Sequence, residues 1–454
     1  MRLLALVVLA GSAACGTLPE PQRQLRADIA AAVGRSDEGS GARRYLDWRS
    51  AGGVEDRAAL DALAVGTLEN ALRAAAAPAR LAAIRAAERF DEPTLFEPVT
   101  RLLGDDDEVV RAAAAAAVVR GHPDAGRVLA QSLRSPDAEA RALAVAAVGK
   151  KVGAPAHADL RRALDDPDER VREAAVVALR PLATAEDSAR IDALATSDPS
   201  GSVRARALAT LGSSGVEIAT AGLEDSFLGA RIAAVDAVAR LLGDRADRLL
   251  APLAAGPPSG EGSGEGDPIV AIHAASRLGR PADAIARAAR SSDWTVRAAA
   301  ANAVRDARDA GALDALAGNA AGSVDAQGGN AARGAGPLDA LAGDPTPAVA
   351  LAAARALARV GRADRASAVF AAHLAGATPA AEVEAAEGLA ALGDRRGVEA
   401  LEKLATHPEP AIRRAALAGL PRGLPVPAAI VAALGDEDRE VRVAAAVAIL
   451  VRVR

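Results

Sequence analysis

A single cysteine in 454 residues excludes any disulfide framework within the chain. In an oxidising compartment such a protein is held together by packing and hydrogen bonding. Aromatic residues are almost as scarce: two Trp, one Tyr and four Phe make up 2% of the chain. A core built on large rings is therefore excluded, although 51% of residues are apolar. Alanine dominates that share. It is the strongest helix former, and an alanine core fills space only where helices approach closely, many times over. Lysine is confined to Lys150, Lys151 and Lys403, so nearly all positive charge is arginine. The net charge of −5 lacks the excess of base that a nucleic-acid partner demands. A charged fraction of 25% argues against wholesale disorder. No apolar run approaches the roughly 20 residues needed to cross a bilayer.

What the N-terminus does hold is a short apolar run, Leu3–Ala10, behind Arg2 and followed by Gly11, Ser12, Ala13 and Ala14. A charged start, a short apolar stretch and small residues at a cleavage point are the three parts of a secretory signal peptide. The one cysteine, Cys15, comes directly after them. The segment resembles a bacterial lipobox, which implies removal of residues 1–14, lipid attachment at Cys15 and anchorage to the cell envelope. It departs from that pattern at Ser12, where the family usually has Leu. Ser12-Ala13-Ala14 also suits cleavage by an ordinary signal peptidase. Gly16 stands where some inner-membrane lipoproteins carry a retaining aspartate, so the outer membrane is favoured. The Ala and Arg bias matches a GC-rich bacterial genome.

Behind this segment the chain repeats. In "DDPDERVREAAVVALRPL", from Asp165, Val171, Ala175, Ala178 and Leu179 fall on one face of a helix. Asp166 is placed to cap that helix, Pro167 to open it and Glu169 to complete a capping box. The block recurs from Gly104, Ser135, Asp198, Ser292, His407 and Asp436. An arginine recurs with it, at Arg111, Arg141, Arg172, Arg204, Arg231, Arg297, Arg413 and Arg442, with Arg80 as a candidate first copy. Three weaker copies put Ala271, Ala350 and Glu382 in that place. Between Arg111 and Arg231 the spacings are 30, 31, 32 and 27 residues. That period leaves room for two helices and two short turns. The preceding helices are visible as "LFEPVTRLL", "AGRVLAQSL" and "GVEALEKLA". A hairpin with one apolar side per helix cannot bury it alone, so neighbours must stack.

The block Asp-Pro-x-x-x-Val-Arg-x-x-Ala-x-x-Ala-Leu, best seen at Asp166–Leu179, resembles the short bacterial HEAT repeat, also found in phycobilisome lyase-like proteins. The resemblance covers roughly residues 75–454 in about twelve copies. It implies an all-α, right-handed α-solenoid of stacked helical hairpins. Gly-rich insertions at 255–268 and 318–337 follow the repeat grid without ending it, so residues 55–454 read as one solenoid with surface loops. Residues 15–54 read as a tether with an N-terminal linker or cap, in which Tyr45 and Trp48 either cover the end of the stack or belong to the linker.

Chemistry-bearing constellations are missing. None of His122, His157, His273, His373 and His407 stands with another His, Cys or carboxylate at metal-ligand spacing. "GEGSGEG" joins no strand to a helix, and "LGDDDE" at 103–108 lacks the alternating ligands of a calcium loop. The recurring Asp and Arg are read as a structural ladder of charge-assisted hydrogen bonds between repeats. No cofactor, metal or small-molecule substrate is expected, and catalysis is not. Trp294, in a turn position where other repeats have Pro or Asp, is the candidate partner contact. The leading reading is a protein-binding scaffold of the envelope. The alternatives are a lyase-like or chromophore-handling factor, suggested by the repeat alone, and a structural spacer. The partner itself is not named by the sequence.

Overall fold

The computed structural model describes residues 18–255, 267–279, 281–304, 337–374, 378–423 and 425–454. All regular structure among them is helical. Two helices come first, α1 (Glu20–Gly34) and α2 (Glu38–Ser50). Twelve hairpins follow: α3 (Arg57–Ala71) with α4 (Ala77–Phe90), α5 (Pro93–Arg101) with α6 (Glu108–Val118), α7 (Pro123–Ser132) with α8 (Ala138–Lys151), and α9 (His157–Ala163) with α10 (Glu169–Leu179). Next are α11 (Ala185–Ser197) with α12 (Gly201–Thr210), α13 (Val216–Gly222) with α14 (Leu228–Leu242), α15 (Asp247–Ala255) with α16 (Pro268–Arg277), and α17 (Ala282–Ala288) with α18 (Trp294–Ala303). The last four are α19 (Pro337–Ala342) with α20 (Pro347–Arg359), α21 (Ala363–Ala372) with α22 (Pro379–Ala391), α23 (Arg395–Leu404) with α24 (Pro410–Gly419), and α25 (Ala428–Ala432) with α26 (Arg439–Val453). The chain is thus an all-α protein of repeated hairpins, as the spacing predicts.

One detail of the repeat differs from the sequence reading. Helix α10 starts at Glu169, and its N-cap is Asp168, whose carboxylate accepts from Arg170 N–H. Asp166 instead accepts from Asp168 N–H at 2.9 Å, closing the turn before the helix. Its carboxylate is used one step earlier than a cap would be. The helix face is as expected: Val171, Ala175 and Leu179 are buried. Each buried Val or Leu contributes roughly 1.5–3 kcal/mol, while the alanines between them contribute less and let neighbouring helices close up.

The chain divides into two compact units. Unit 2, residues 154–394, stacks through its second helices: α10 packs on α12, then α14, α16, α18, α20 and α22 follow in turn. Unit 1 is built from both ends of the chain, residues up to 153 together with 395–454. Within it α4 packs on α6 and α6 on α8, while α24 packs on α26. The last helix, α26, packs on α3 and α4, and α25 with the turn after it packs on α2. Tyr45 is buried in that N-terminal hairpin, its hydroxyl accepting from Asp56 N–H at 3.3 Å. Trp48 donates from Nε1 to Val54 O at 2.9 Å.

Candidate functional site

The repeated arginines sit in the first turns of the second helices, and each works in two directions. Toward its own repeat, Nη1 donates to the carbonyls six and five residues earlier, at the turn between the two helices. For Arg172 these are Asp166 and Pro167, at 2.8 and 3.0 Å. Arg80, Arg111, Arg141, Arg204, Arg231, Arg297 and Arg413 hold the corresponding pair of carbonyls, and Arg442 holds Asp436 O. Toward the next repeat, Nε and Nη2 of Arg172 grip Asp198 at 2.7 and 2.8 Å. Arg204 grips Asp225 and Arg297 grips Asp344 with the same two-pronged fork. Arg80, Arg231 and Arg413 reach Asp105, Asp267 and Asp436 through Nη2 alone.

Most of these aspartates close the next turn as well. Asp198, Asp225, Asp344 and Asp436 each accept the N–H two residues on, at 2.8–2.9 Å. One guanidinium therefore ties two successive turns together. The Arg204 fork, against the opposing effect of burial, holds Asp225 below the usual carboxylate range. Burial would raise Asp344, but Arg297 and the Thr346 donors override it and the net shift is downward. Where the partner aspartate is missing, the link changes form: opposite Arg111 stands Ser135, whose hydroxyl donates to Glu108. Ala271 and Ala350 are simply buried at the arginine's place.

A second row of basic residues was not legible in the sequence. Near the far ends of the second helices, Arg240 donates to Leu211 O at 3.0 Å, Arg359 to Val304 O at 2.9 Å and Arg452 to Leu420 and Pro421 O. Leu211, Val304 and Leu420 are the residues that close α12, α18 and α24, all in extended conformation. No left-handed glycine closes these helices, and a cation from the following repeat satisfies carbonyls that the helix leaves open. The signal in sequence is an arginine nine or ten residues after the ladder position, here Arg231, Ala350 and Arg442.

Two histidines also find carboxylates one repeat away, at separations of 30 and 37 residues that no short motif covers. His157 Nε2 lies 2.7 Å from Asp187 Oδ2, and His273 Nε2 lies 2.8 Å from Asp236 Oδ1. Asp187 is fully buried and caps α11 in a capping box with Thr184. It also takes Arg161 Nε at 2.8 Å. Burial pushes its pKa up, but the donors from Thr184, His157 and Arg161 prevail and hold it far below the usual range. With donors from both sides on its carboxylate, Asp187 pins α9 to α11. Among the described residues no group of three or more His, Cys, Asp or Glu is placed to hold a metal.

Trp294 opens α18 and is 49% exposed. Phe227, at the corresponding turn before α14, is 44% exposed and lies over Gly201. In unit 1 a groove of about 400 Å³ runs between α4, α24 and α26. Ala86, Val443, Val447 and Val451 line it, and Arg85, Arg89, Arg414 and Arg422 stand with them. Cys15, residues 1–14 and nearly all of the insertions at 255–268 and 318–337 lie outside the described residues. No described helix is long and apolar enough to cross a membrane.

A family model described as HEAT repeats matches residues 126–212. Comparison with curated proteins gives no match. Among solved structures, the complex of CpcE and CpcF of phycocyanin lyase from Nostoc sp. PCC7120 is 20% identical, over 49% of this chain and 94% of that one, with a TM-score of 0.30. A mutant of Kap121p is 14% identical, over 88% of this chain and 48% of its own, with a TM-score of 0.37. An engineered protein is 22% identical, over 78% and 97%, with a TM-score of 0.27. Overlaps this loose lend no weight to any substrate or partner. The chain is an all-α protein of repeated helical hairpins, of which residues 126–212 match the HEAT-repeat model.

Proposed function

We propose that the protein is a non-catalytic, protein-binding scaffold of the bacterial cell envelope, anchored through a lipid on Cys15 and facing the periplasm or the cell surface. One observation carries the reading. The acid–base pairs that could suggest chemistry are engaged between turns, while each unit leaves a row of small and apolar residues uncovered along its second helices. Five residues after the ladder arginine, Ala146, Val177, Ala209 and Ala418 are exposed, Val177 to 52%. Stacked repeats with such a row present a long surface on which another protein can lie. Trp294 adds an exposed ring of the kind that anchors interfaces.

A photocrosslinker in place of Val177, expressed in the native host, is expected to yield one discrete cross-linked protein, lost when neighbouring Glu173 is replaced by Arg. A purified protein that turns over a substrate or holds a pigment would sink the scaffold reading. For the anchor, Cys15→Ala is expected to release the protein from the membrane fraction. A variant still sedimenting with membranes would refute lipidation. The lipobox resemblance at residues 12–15 and the absence of any other cysteine support the anchor, and Gly16 favours the outer membrane.

A further inference from the structure

We infer that the second helices of unit 1 form a binding track for an extended acidic peptide segment of a protein partner, an inference that rests on the scaffold reading above and gives the partner its chemistry. The track follows from register. Nine residues after the ladder position, four second helices of this unit carry a base: Arg89 on α4, Arg120 after α6, Lys150 on α8 and Arg422 after α24. All four are exposed. Five residues after the ladder position the same unit holds Arg85, Ala116, Ala146, Ala418 and Val447, with no acid among them. The helices concerned are successive neighbours, α24 on α26, α26 on α4, α4 on α6 and α6 on α8. The basic row is thus continuous across the stack, broken only at α26, where Val451 takes the place.

No described carboxylate neutralises these charges, and Arg89 alone has a further contact, its guanidinium standing 5.4 Å from the centre of the Phe90 ring. Among the described residues Arg85, Arg89, Arg120, Lys150 and Arg422 have no ion-pair partner, and the acid beside them, Glu440, is held by Arg414 at 3.3 Å. Arg452 shows the field they make: burial first, and then the charge of Arg422, press its pKa downward. The contrast with unit 2 sharpens the assignment. There the same register holds Pro181, Ser213, Asp306 and Ala391, with a single further base, Arg280, outside the described residues, while Arg240 and Arg359 are spent on carbonyls. A protein with a net charge of −5 has gathered unneutralised base on one track of one unit, over a floor of Ala and Val. An occupant must supply carboxylates and apolar side chains together. Stacked helices lie about 9 Å apart, which an extended chain covers in about three residues, so the segment carries an acid at roughly every third position. Single-stranded nucleic acid fits less well, because the groove between α4, α24 and α26 has no aromatic ring on which bases could stack.

The test uses the full-length protein and a fluorescein-labelled peptide repeating Glu-Leu-Ser, read by fluorescence anisotropy. Binding is expected, weakening with salt, and the triple variant Arg89→Glu/Arg120→Glu/Lys150→Glu is expected to lose on the order of 100-fold in affinity. The control Arg206→Glu/Arg248→Glu/Arg290→Glu, with the same change of net charge on exposed residues of unit 2, is expected to bind as the parent does. Equal loss in both variants would overturn the track in favour of a general charge effect. An oligonucleotide of matched charge binding more tightly than the peptide, or no binding of the peptide, would overturn it too. If the triple variant binds the peptide as the parent does while Val177 still cross-links a partner, the track is wrong and the scaffold reading stands.

Discussion

Asp187 shows how much a single side chain carries when it sits where two repeats meet. Its carboxylate is fully buried and receives Thr184, His157 and Arg161 at once. Asp187→Ala removes the acceptor shared by Thr184, His157 and Arg161, while Arg161 keeps Glu186; the open cap and unpaired Thr184 N–H cost about 1–2 kcal/mol. A chemical-denaturation midpoint for unit 2 checks this. The pH dependence has a definite sign. The folded pKa lies below the ordinary value of 3.8, so the stability Asp187 contributes is complete above that value and drains away as pH falls beneath it. Asp187→Asn is expected to lose stability at neutral pH and to flatten the acid limb. An acid limb unchanged from the parent would show that the cluster does not set it. The cluster was not legible in the sequence: His157 lies 30 residues from Asp187, and only the stacking of one hairpin on the next brings it in.

At the scale of the helix, the forward ladder was readable and the backward one was not, for a physical reason. The forward contact needs an Arg and an Asp at fixed places in the repeat, and enough copies keep both for periodicity to expose it. The backward contact at Arg240, Arg359 and Arg452 depends on how the preceding helix ends, which varies from copy to copy. The helix face at Val171, Ala175 and Leu179 was equally plain, because a 3.6-residue period is written in each copy alone. The cap at α10 was misplaced by two residues since Asp166 and Asp168 are both good acceptors, and the turn decides between them. The forward ladder also ranks its own members. Arg172 meets Asp198 with both prongs and both residues are buried, whereas Arg111 faces Ser135. Arg172→Lys keeps the charge and loses the fork. It is expected to cost about 2 kcal/mol, and Arg111→Lys under about 1 kcal/mol, the range of a half-exposed pair. Urea unfolding of the two variants side by side decides it, and equal costs would mean that the next-repeat aspartate adds nothing.

For the molecule as a whole, the feature that no local pattern announced is the assembly of unit 1 from both ends of the chain. Arg454 pairs with Asp61 across 393 positions, and Val426 N–H donates to Glu55 at 2.9 Å. Contacts this distant in sequence close a very long loop before they return any energy, so their formation is expected to come late in folding. The seam between the ends is set by two glycines. A Cβ on Gly39 would stand 3.1 Å from the Gly435 Cα, and one on Gly435 would stand 3.0 Å from the Gly39 Cα. Both neighbours are backbone and cannot rotate aside, so any larger residue must push α2 away from the turn after α25. Gly435 has no left-handed backbone to protect; close approach alone demands glycine there. Gly435→Val therefore tests whether the seam is one cooperative structure. Hydrogen exchange is expected to quicken at α2 and α25, where the strain enters. It is also expected to quicken in α3 and α26, whose apolar faces cover one another, because α26 cannot hold its place once the turn preceding it has moved. A loss of protection confined to the residues around 39 and 435 would show instead that α3 and α26 hold together without the seam, and that the union of the chain ends rests on their apolar faces rather than on the glycine contact.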